Sequence, residues 1–535
     1  MAYTEMSHVL HAGPLGYLEG LTISSSNTPS LHYFGGLHYA LPPTGTHRFR
    51  LPRKLPPGYI YGTKEAPGQH TGGTNLCPQP PSRLPLPLFL FDEDCLQLNI
   101  WIPAGEAPKD GWPVFFYLHG GFLQWGTANW KPSSLVPLLG DSAFRAIVVL
   151  PAYRLNAFGF LTGKAFAEEQ STDGASIGNM GLWDQRAALE WVRRNIANFA
   201  GDADNITVAG YSAGAYSTFH QLAHELYRVP AQERIIRRVI MLSNGAGLKP
   251  KTLSEHQAQF DEFVEKLDIP SNLEDSAKLA KLRGLPYQQL VDVQQKMKIS
   301  EFRPVADSRF YPEDLFARIN EGDFARRMQE CGITILSGEC RDEHTVYRNW
   351  RTPGNSLDSL RTRLYAEYPR NDVDKVLRHY CGLEEELPSH CENWQDLFGR
   401  IYADLQVHHL QRGFFNALFQ HGLRPGKDVL RYRFDRRLMC VDATLPPEWG
   451  VTHSSDVPIW LWGSDFPGGL TDQEKVWLRD WNEQFARFVN GEEVTWGTGS
   501  PKHVRRWRSD GETDIWEDDM WEQGIEVWNI VHSGP

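Results

Sequence analysis

The stretch Ile206-Thr207-Val208-Ala209-Gly210-Tyr211-Ser212-Ala213-Gly214 decides how this chain is read. A short apolar strand runs into Gly-x-Ser-x-Gly, and a helical pattern follows from Ala213 to about Leu222. A serine on so tight a strand-to-helix turn sits in a strained conformation. Its neighbours two residues either side come too close for side chains, which is why both are glycine. The hydroxyl is thereby exposed at the positive end of a helix, where backbone N–H groups can meet an oxyanion. Gly-x-Ser-x-Gly is a weak signal by itself. Between a strand and a helix it makes a serine hydrolase the leading reading.

Outward from this turn, apolar β-rich runs alternate with helical patterns. That predicts an α/β fold: a mostly parallel central sheet with helices on both faces. The expected strands are 114–118, 146–150, 207–210, 238–243, 333–337, 430–434 and 457–462, and Leu182–Phe199 reads as an amphipathic helix. The polar, charge-mixed stretches 251–298 and 356–398 read as helical cap insertions in a single domain of 535 residues. The proline-rich segment Pro78–Pro87 reads as an extended surface loop.

A serine hydroxyl needs a base to take its proton and an acid to hold that base in the right tautomer. In a fold of this class the order along the chain is Ser, then Asp or Glu, then His. Glu343 follows the strand 333–337, and His453 precedes the run 457–462. By position alone Asp342, Glu339 and Asp456 remain rivals for the acid. The pair Gly120-Gly121, after the strand 114–118, reads as an oxyanion loop whose N–H groups act with that of Ala213. Phe122, Leu123 and Trp125 follow it and are expected to line the substrate pocket. Ala215 and Tyr216 face either the pocket or the core.

Composition narrows the setting. A formal charge of −12 argues against nucleic acid or an anionic membrane as partner. No run approaches the roughly 18 apolar residues of a membrane span. The N-terminus shows neither a basic start nor an apolar stretch, so a cytoplasmic location is expected. Seven cysteines without close metal-type pairs fit a reducing compartment, and the sequon Asn205-Ile206-Thr207 is expected to be buried in the elbow strand. The 18 tryptophans suggest either aromatic walls around a pocket or a well-packed core. The acidic, tryptophan-rich stretch Trp507–Trp528 packs on the core or against another subunit; oligomeric state is not readable.

Several blocks carry a resemblance: Phe34–Gly45 with Arg48-Phe49, Glu93–Ile100, Tyr153-Arg154-Leu155, Gly178–Gln185 and Phe199–Asp202. With the elbow, they are similar to the type-B carboxylesterase family, the cholinesterase-like branch of the α/β-hydrolases. The pattern is more like fungal and bacterial esterases than animal cholinesterases. The resemblance implies a Ser212–Glu343–His453 triad and oxyanion donors at Gly120, Gly121 and Ala213. It also implies ion pairs Arg48–Glu93 and Arg154–Asp184. Cys77 and Cys95 align with the family's first bridge, and the weak expectation is two reduced thiols. His344 and Ala200 stand where the family has glycine.

The reaction this implies is hydrolysis of a carboxylic ester or lactone through an acyl-enzyme, with no metal or cofactor and a small-molecule ester as substrate. Acyl transfer, thioester or amide cleavage would use the same three residues. A non-catalytic adhesion-type homologue is the rival in another class, and the survival of all three residues weighs against it.

Overall fold

The computed structural model describes residues 3–81, 90–169 and 177–532. These residues form two compact units. The first comprises the described residues within 1–141, 145–206 and 250–312, and the second those within 142–144, 207–249 and 313–535.

In the first unit, Tyr3–His11, Tyr17–Ser25, Thr28–His38 and Gln97–Pro103 pair antiparallel in succession. Gln97–Pro103 then pairs antiparallel with Ile147–Pro151, which runs parallel to Trp112–Leu118. The last two strands are almost wholly buried, as continuous apolar runs must be when both faces are covered. The N-terminal antiparallel strands were not foreseen, because Tyr3–His11 is mostly exposed and offers no apolar run.

The expected amphipathic helix is Met180–Asn195, extended by a 3-10 turn, Ile196–Phe199. It buries Leu182, Ala188, Trp191, Val192, Ile196 and Phe199. Ala200 follows at φ 61°, a left-handed conformation that glycine would adopt without a Cβ penalty. Both expected ion pairs are present. Arg48 Nε donates to Glu93 Oε1 at 2.6 Å. Arg154 Nε and Nη2 grip Asp184 at 2.7 Å each, fully buried. Cys77 and Cys95 form a disulfide, which corrects the expectation of reduced thiols. The stretch Lys251–Lys298 is helical as expected, with Leu253–Lys266, Asp275–Gly284 and Tyr287–Gln294. Of the proline-rich segment, Pro78 and Gln79 are buried rather than on the surface, Pro81 is exposed, and 82–87 lie outside the described residues.

In the second unit, Ile236–Leu242, Thr334–Cys340, Val429–Phe434 and His503–Trp507 are parallel neighbours, and Thr513–Glu517 closes antiparallel. The end of the elbow strand Gly201–Tyr211, from Thr207 on, belongs to this unit and leads to the helix Ala213–Arg228, which packs on Ile236–Leu242. In the sequon, Thr207 is buried but Asn205 only half so. The insertion 356–398 supplies Leu357–Glu367, Arg370–Cys381 and the start of Trp394–Gln406.

One expected strand is wrong. Val457–Trp460 is a helical turn with Pro458 in its first turn. Buried apolar runs of this length do not distinguish strand from helix by periodicity, and proline lacks the N–H a central strand would need. The C-terminal tryptophans Trp507, Trp521 and Trp528 are buried in this unit's core, packing through Trp528 against Phe316 and Phe414.

Candidate active site

The elbow is built from backbone. Ser212 adopts φ 55°, ψ −125°, and its N–H is tied to Leu242 O at 2.9 Å. A Cβ on Gly210 would lie 2.2 Å from the carbonyl carbon and oxygen of Gly214, so the turn closes only with glycine there. Ala213 opens the helix, and its N–H is among those the first turn leaves unsatisfied.

Glu343 and His453 stand on two loops stitched together. Asp342 N–H donates to Val451 O at 2.9 Å, and Val451 N–H returns to Asp342 Oδ2 at 2.8 Å. Thr345 Oγ1 reaches both Thr452 Oγ1 and Trp449 O at 2.7 Å. Gly450, at φ 66°, leaves no room for a side chain, since its Cβ would sit 2.3 Å from Asp342 Oδ2.

This stitching brings the three expected residues together. His453 Nδ1 lies 2.6 Å from Glu343 Oε2, and His453 Nε2 lies 2.9 Å from Ser212 Oγ. Glu343 is fully buried and a carboxylate only accepts, so Nδ1 is the donor and Nε2 is left to accept from the serine. All three residues belong to the second unit. The rivals for the acid are engaged elsewhere. Glu339 is held by Arg412, Arg433 and His408, and Asp342 by Arg341 and Val451. Burial and the nearby Glu343 push the Asp456 carboxyl up to about 6.

Ser243, at the end of the strand Ile236–Leu242, was not singled out from sequence. Its Oγ lies 2.7 Å from Glu343 Oε1 and 2.7 Å from Asp456 Oδ2, while Tyr432 OH donates to the same Asp456 oxygen at 2.6 Å. One hydroxyl hydrogen serves only one carboxylate at a time. The hydroxyls of Ser243 and Tyr432 face the same Asp456 oxygen and offset part of the burial and Glu343 repulsion that raise its pKa. Cys340 N–H also donates to Glu343 Oε1, at 2.8 Å. Tyr211 and Tyr347 were likewise unanticipated beside His453, with ring centroids 5.0 and 5.2 Å from the imidazole. Tyr211 lies inside the elbow motif, and Tyr347 lies one helical turn after Glu343; that spacing was the only available signal.

The glycine loop belongs to the first unit. Gly121 takes φ 113°, and a Cβ there would meet Trp125 O at 2.1 Å. Phe122 and Leu123 follow at φ 59° and 63°. The turn is closed by Gln124 and Trp125 N–H groups, both donating to Gly121 O at 2.9 Å. Gln79 clamps its far end. Its Oε1 accepts from Gly126 N at 2.9 Å and its Nε2 donates to Gly126 O at 3.0 Å. His119, stacked on Tyr153, is pushed down to about 4 by burial and stays neutral. Of the expected pocket residues, Leu123 is completely buried, Phe122 nearly so, and Trp125 half-buried with its Nε1 on Pro81 O. Ala215 is buried and Tyr216 half-buried against His220.

Among the described residues no cluster of three or more His, Cys, Asp or Glu could hold a metal ion, and no helix is long and apolar enough to cross a membrane.

Known proteins resemble this chain along nearly its whole length. The profile of the Carboxylesterase family spans residues 7–517. A carboxylic ester hydrolase of Gibberella moniliformis is 57% identical over 532 residues, covering 99% of this chain and 97% of the relative. An uncharacterised esterase/lipase of Schizosaccharomyces pombe is 35% identical, covering 97% and 95%. A para-nitrobenzyl esterase of Bacillus subtilis is 29% identical, covering 93% and 91%.

Proposed function

This chain belongs to the carboxylesterase family, with its α/β-hydrolase fold, and is a carboxylic ester hydrolase; from that premise we propose that Ser212, His453 and Glu343 carry the reaction as a triad. The observation that supports this most is the unbroken chain of contacts from Ser212 Oγ to His453 to Glu343, at 2.9 and 2.6 Å.

In this reading His453 Nε2 takes the Ser212 proton as Oγ attacks the ester carbonyl. The same proton then goes to the departing alcohol oxygen, and water repeats the cycle on the acyl-enzyme. Glu343 holds Nδ1–H in place and stabilises the imidazolium as it forms. We assign the oxyanion donors to the N–H groups of Gly120, Gly121 and Ala213. The strained glycine turn and the helix start are what make those N–H groups available. Phe122, Leu123 and Trp125 are the proposed substrate-facing residues. The fully buried Leu123 supports packing beneath the loop better than contact with substrate.

We further assign the helical stretches 251–298 and 356–398 to caps on a single hydrolase domain. A small-molecule ester is the proposed partner, with no role for nucleic acid given the charge of −12. Five free thiols support a cytoplasmic home, while the Cys77–Cys95 bridge weighs against it.

The test is Ser212→Ala assayed on a chromogenic ester. Activity is expected to fall by about 10⁴-fold or more with the fold retained. Wild-type turnover in that variant would end the proposal.

A further inference from the structure

Tyr347 stands on the helix His344–Asn349, four residues after Glu343, and its side chain is buried. Its hydroxyl oxygen lies 3.3 Å from Nδ1 of His453 and 3.3 Å from Nε2. Each imidazole nitrogen has one in-plane direction for a hydrogen bond. Here Glu343 occupies the one at Nδ1 and Ser212 the one at Nε2. A hydroxyl equidistant from both therefore makes no regular bond to either nitrogen. It is held against the ring as a dipole.

The phenol is firmly held. Its ring packs on Tyr402 at 4.7 Å, and Tyr402 OH is anchored on both oxygens of Glu367 at 2.8 and 3.0 Å. Tyr402 lies on the helix Trp394–Gln406, three residues after Gly399. A Cβ on Gly399 would meet His344 O at 2.7 Å and Arg348 Cβ at 2.8 Å, so the two helices touch backbone to backbone there. Arg348 Nη1 on Asp396 Oδ1, at 2.9 Å, closes the same contact. Among the described residues, the titratable groups beside the imidazole include Glu343, Asp456, Tyr211 and Tyr347. Burial first, and then Glu343, keep Tyr347 a neutral phenol.

We propose that Tyr347 is a positioning residue that presents its phenolic oxygen to the His453 ring and stabilises the imidazolium formed when Ser212 gives up its proton. This rests on the reading of His453 as the base. The physical ground is a charge–dipole interaction in a buried site, where the ring is neutral before proton transfer and cationic after it. The negative end of the phenol dipole therefore favours the later state, and lowers the barrier without binding substrate. A hydroxyl turned the other way, with its hydrogen towards the ring, would do the opposite. The two orientations have opposite signs in experiment.

The test is Tyr347→Phe, which keeps the ring and removes only the oxygen, assayed on a chromogenic ester across pH. The expected result is a kcat about 3- to 10-fold lower, KM within about 2-fold, and the acid limb of the pH–rate profile moved about 0.5 unit to lower pH. An unmoved acid limb with unchanged kcat overturns the proposal, as does a shift to higher pH. A merely structural role would lower the melting temperature without moving that limb. Gly399→Ala provides a second variant, since it displaces the Tyr347 helix and leaves the hydroxyl intact; a smaller shift of the same sign is expected, and one of opposite sign counts against the proposal. His453→Ala, run in parallel, separates the two ideas. Retained activity there sinks the reading of the base, whereas lost activity with an unmoved Tyr347→Phe profile sinks only the role of Tyr347.

Discussion

The turn at Ser212 and the loop from Gly120 to Gly126 both carry positive φ angles at residues other than glycine, yet they are held by different means. The elbow is clamped between a strand and a helix, and its closest contact is Gly210 against the backbone of Gly214. The glycine loop leaves a strand for irregular chain. Its strain at Phe122 and Leu123 is held by backbone bonds, Gln124 and Trp125 N–H on Gly121 O and Asn156 N–H on Leu123 O at 2.7 Å, and by a buried side chain distant in sequence, Gln79 on Gly126. Each such residue costs about 1–3 kcal/mol and persists only where its surroundings over-determine it. Backbone packed between regular elements does this in the one case, and backbone bonds joined by a side-chain amide in the other.

Breaking the elbow is expected to have the largest effect. Gly210→Ala places a methyl 2.2 Å from the Gly214 carbonyl, and neither regular element can yield. Activity should fall at least about 100-fold through misplacement of Ser212, with a destabilisation of about 3 kcal/mol or more. Ester turnover and denaturant unfolding measure both, and near-normal values would show the elbow to be softer than its contacts indicate.

The loop should break more gently. Gln79→Leu removes both hydrogen bonds to Gly126 and leaves its peptide without those partners, at a cost of about 1–3 kcal/mol. Since the loop is proposed to supply oxyanion donors, the rate should fall about 10-fold, and affinity for a trifluoromethyl ketone should fall in step. Unchanged inhibitor affinity would detach Gln79 from the function of the loop.

The smallest effect sharpens the contrast, because behind Glu343 the second unit also relies on a buried polar side chain. Asp456 keeps its proton up to about pH 6 in the fold, against an ordinary value of 3.8. Between those values the folded state holds the extra proton, so stability falls as pH rises from 3.8 to about 6 and stays reduced above it. Asp456→Asn, which cannot ionise, should raise the melting temperature relative to wild type more at pH 7 than at pH 4. An equal difference at both would remove the proton from the account.

Legibility followed the same division. The elbow strand, its helix and the strands Trp112–Leu118 and Thr334–Cys340 were readable because their periodicity and punctuation are local. Val457–Trp460 reads as a strand because a short apolar run carries no period, and Pro458 was the one local sign of its helical turn. Gln79 reads as part of a surface loop in the sequence, since nothing within ten residues shows that its amide meets Gly126, 47 positions on.

For this protein, then, the order of residues alone settled the serine on its turn, the α/β alternation and the positions where an acid and an imidazole could follow. Those features depend on steric limits within a few residues, which any stretch of chain obeys before it folds. Which of four carboxylates reaches His453, that Ser243 backs the one that does, and that Tyr347 lies against the imidazole were decided only by tertiary structure. Contacts between residues some hundred positions apart depend on how strands and helices pack, and no local pattern encodes that.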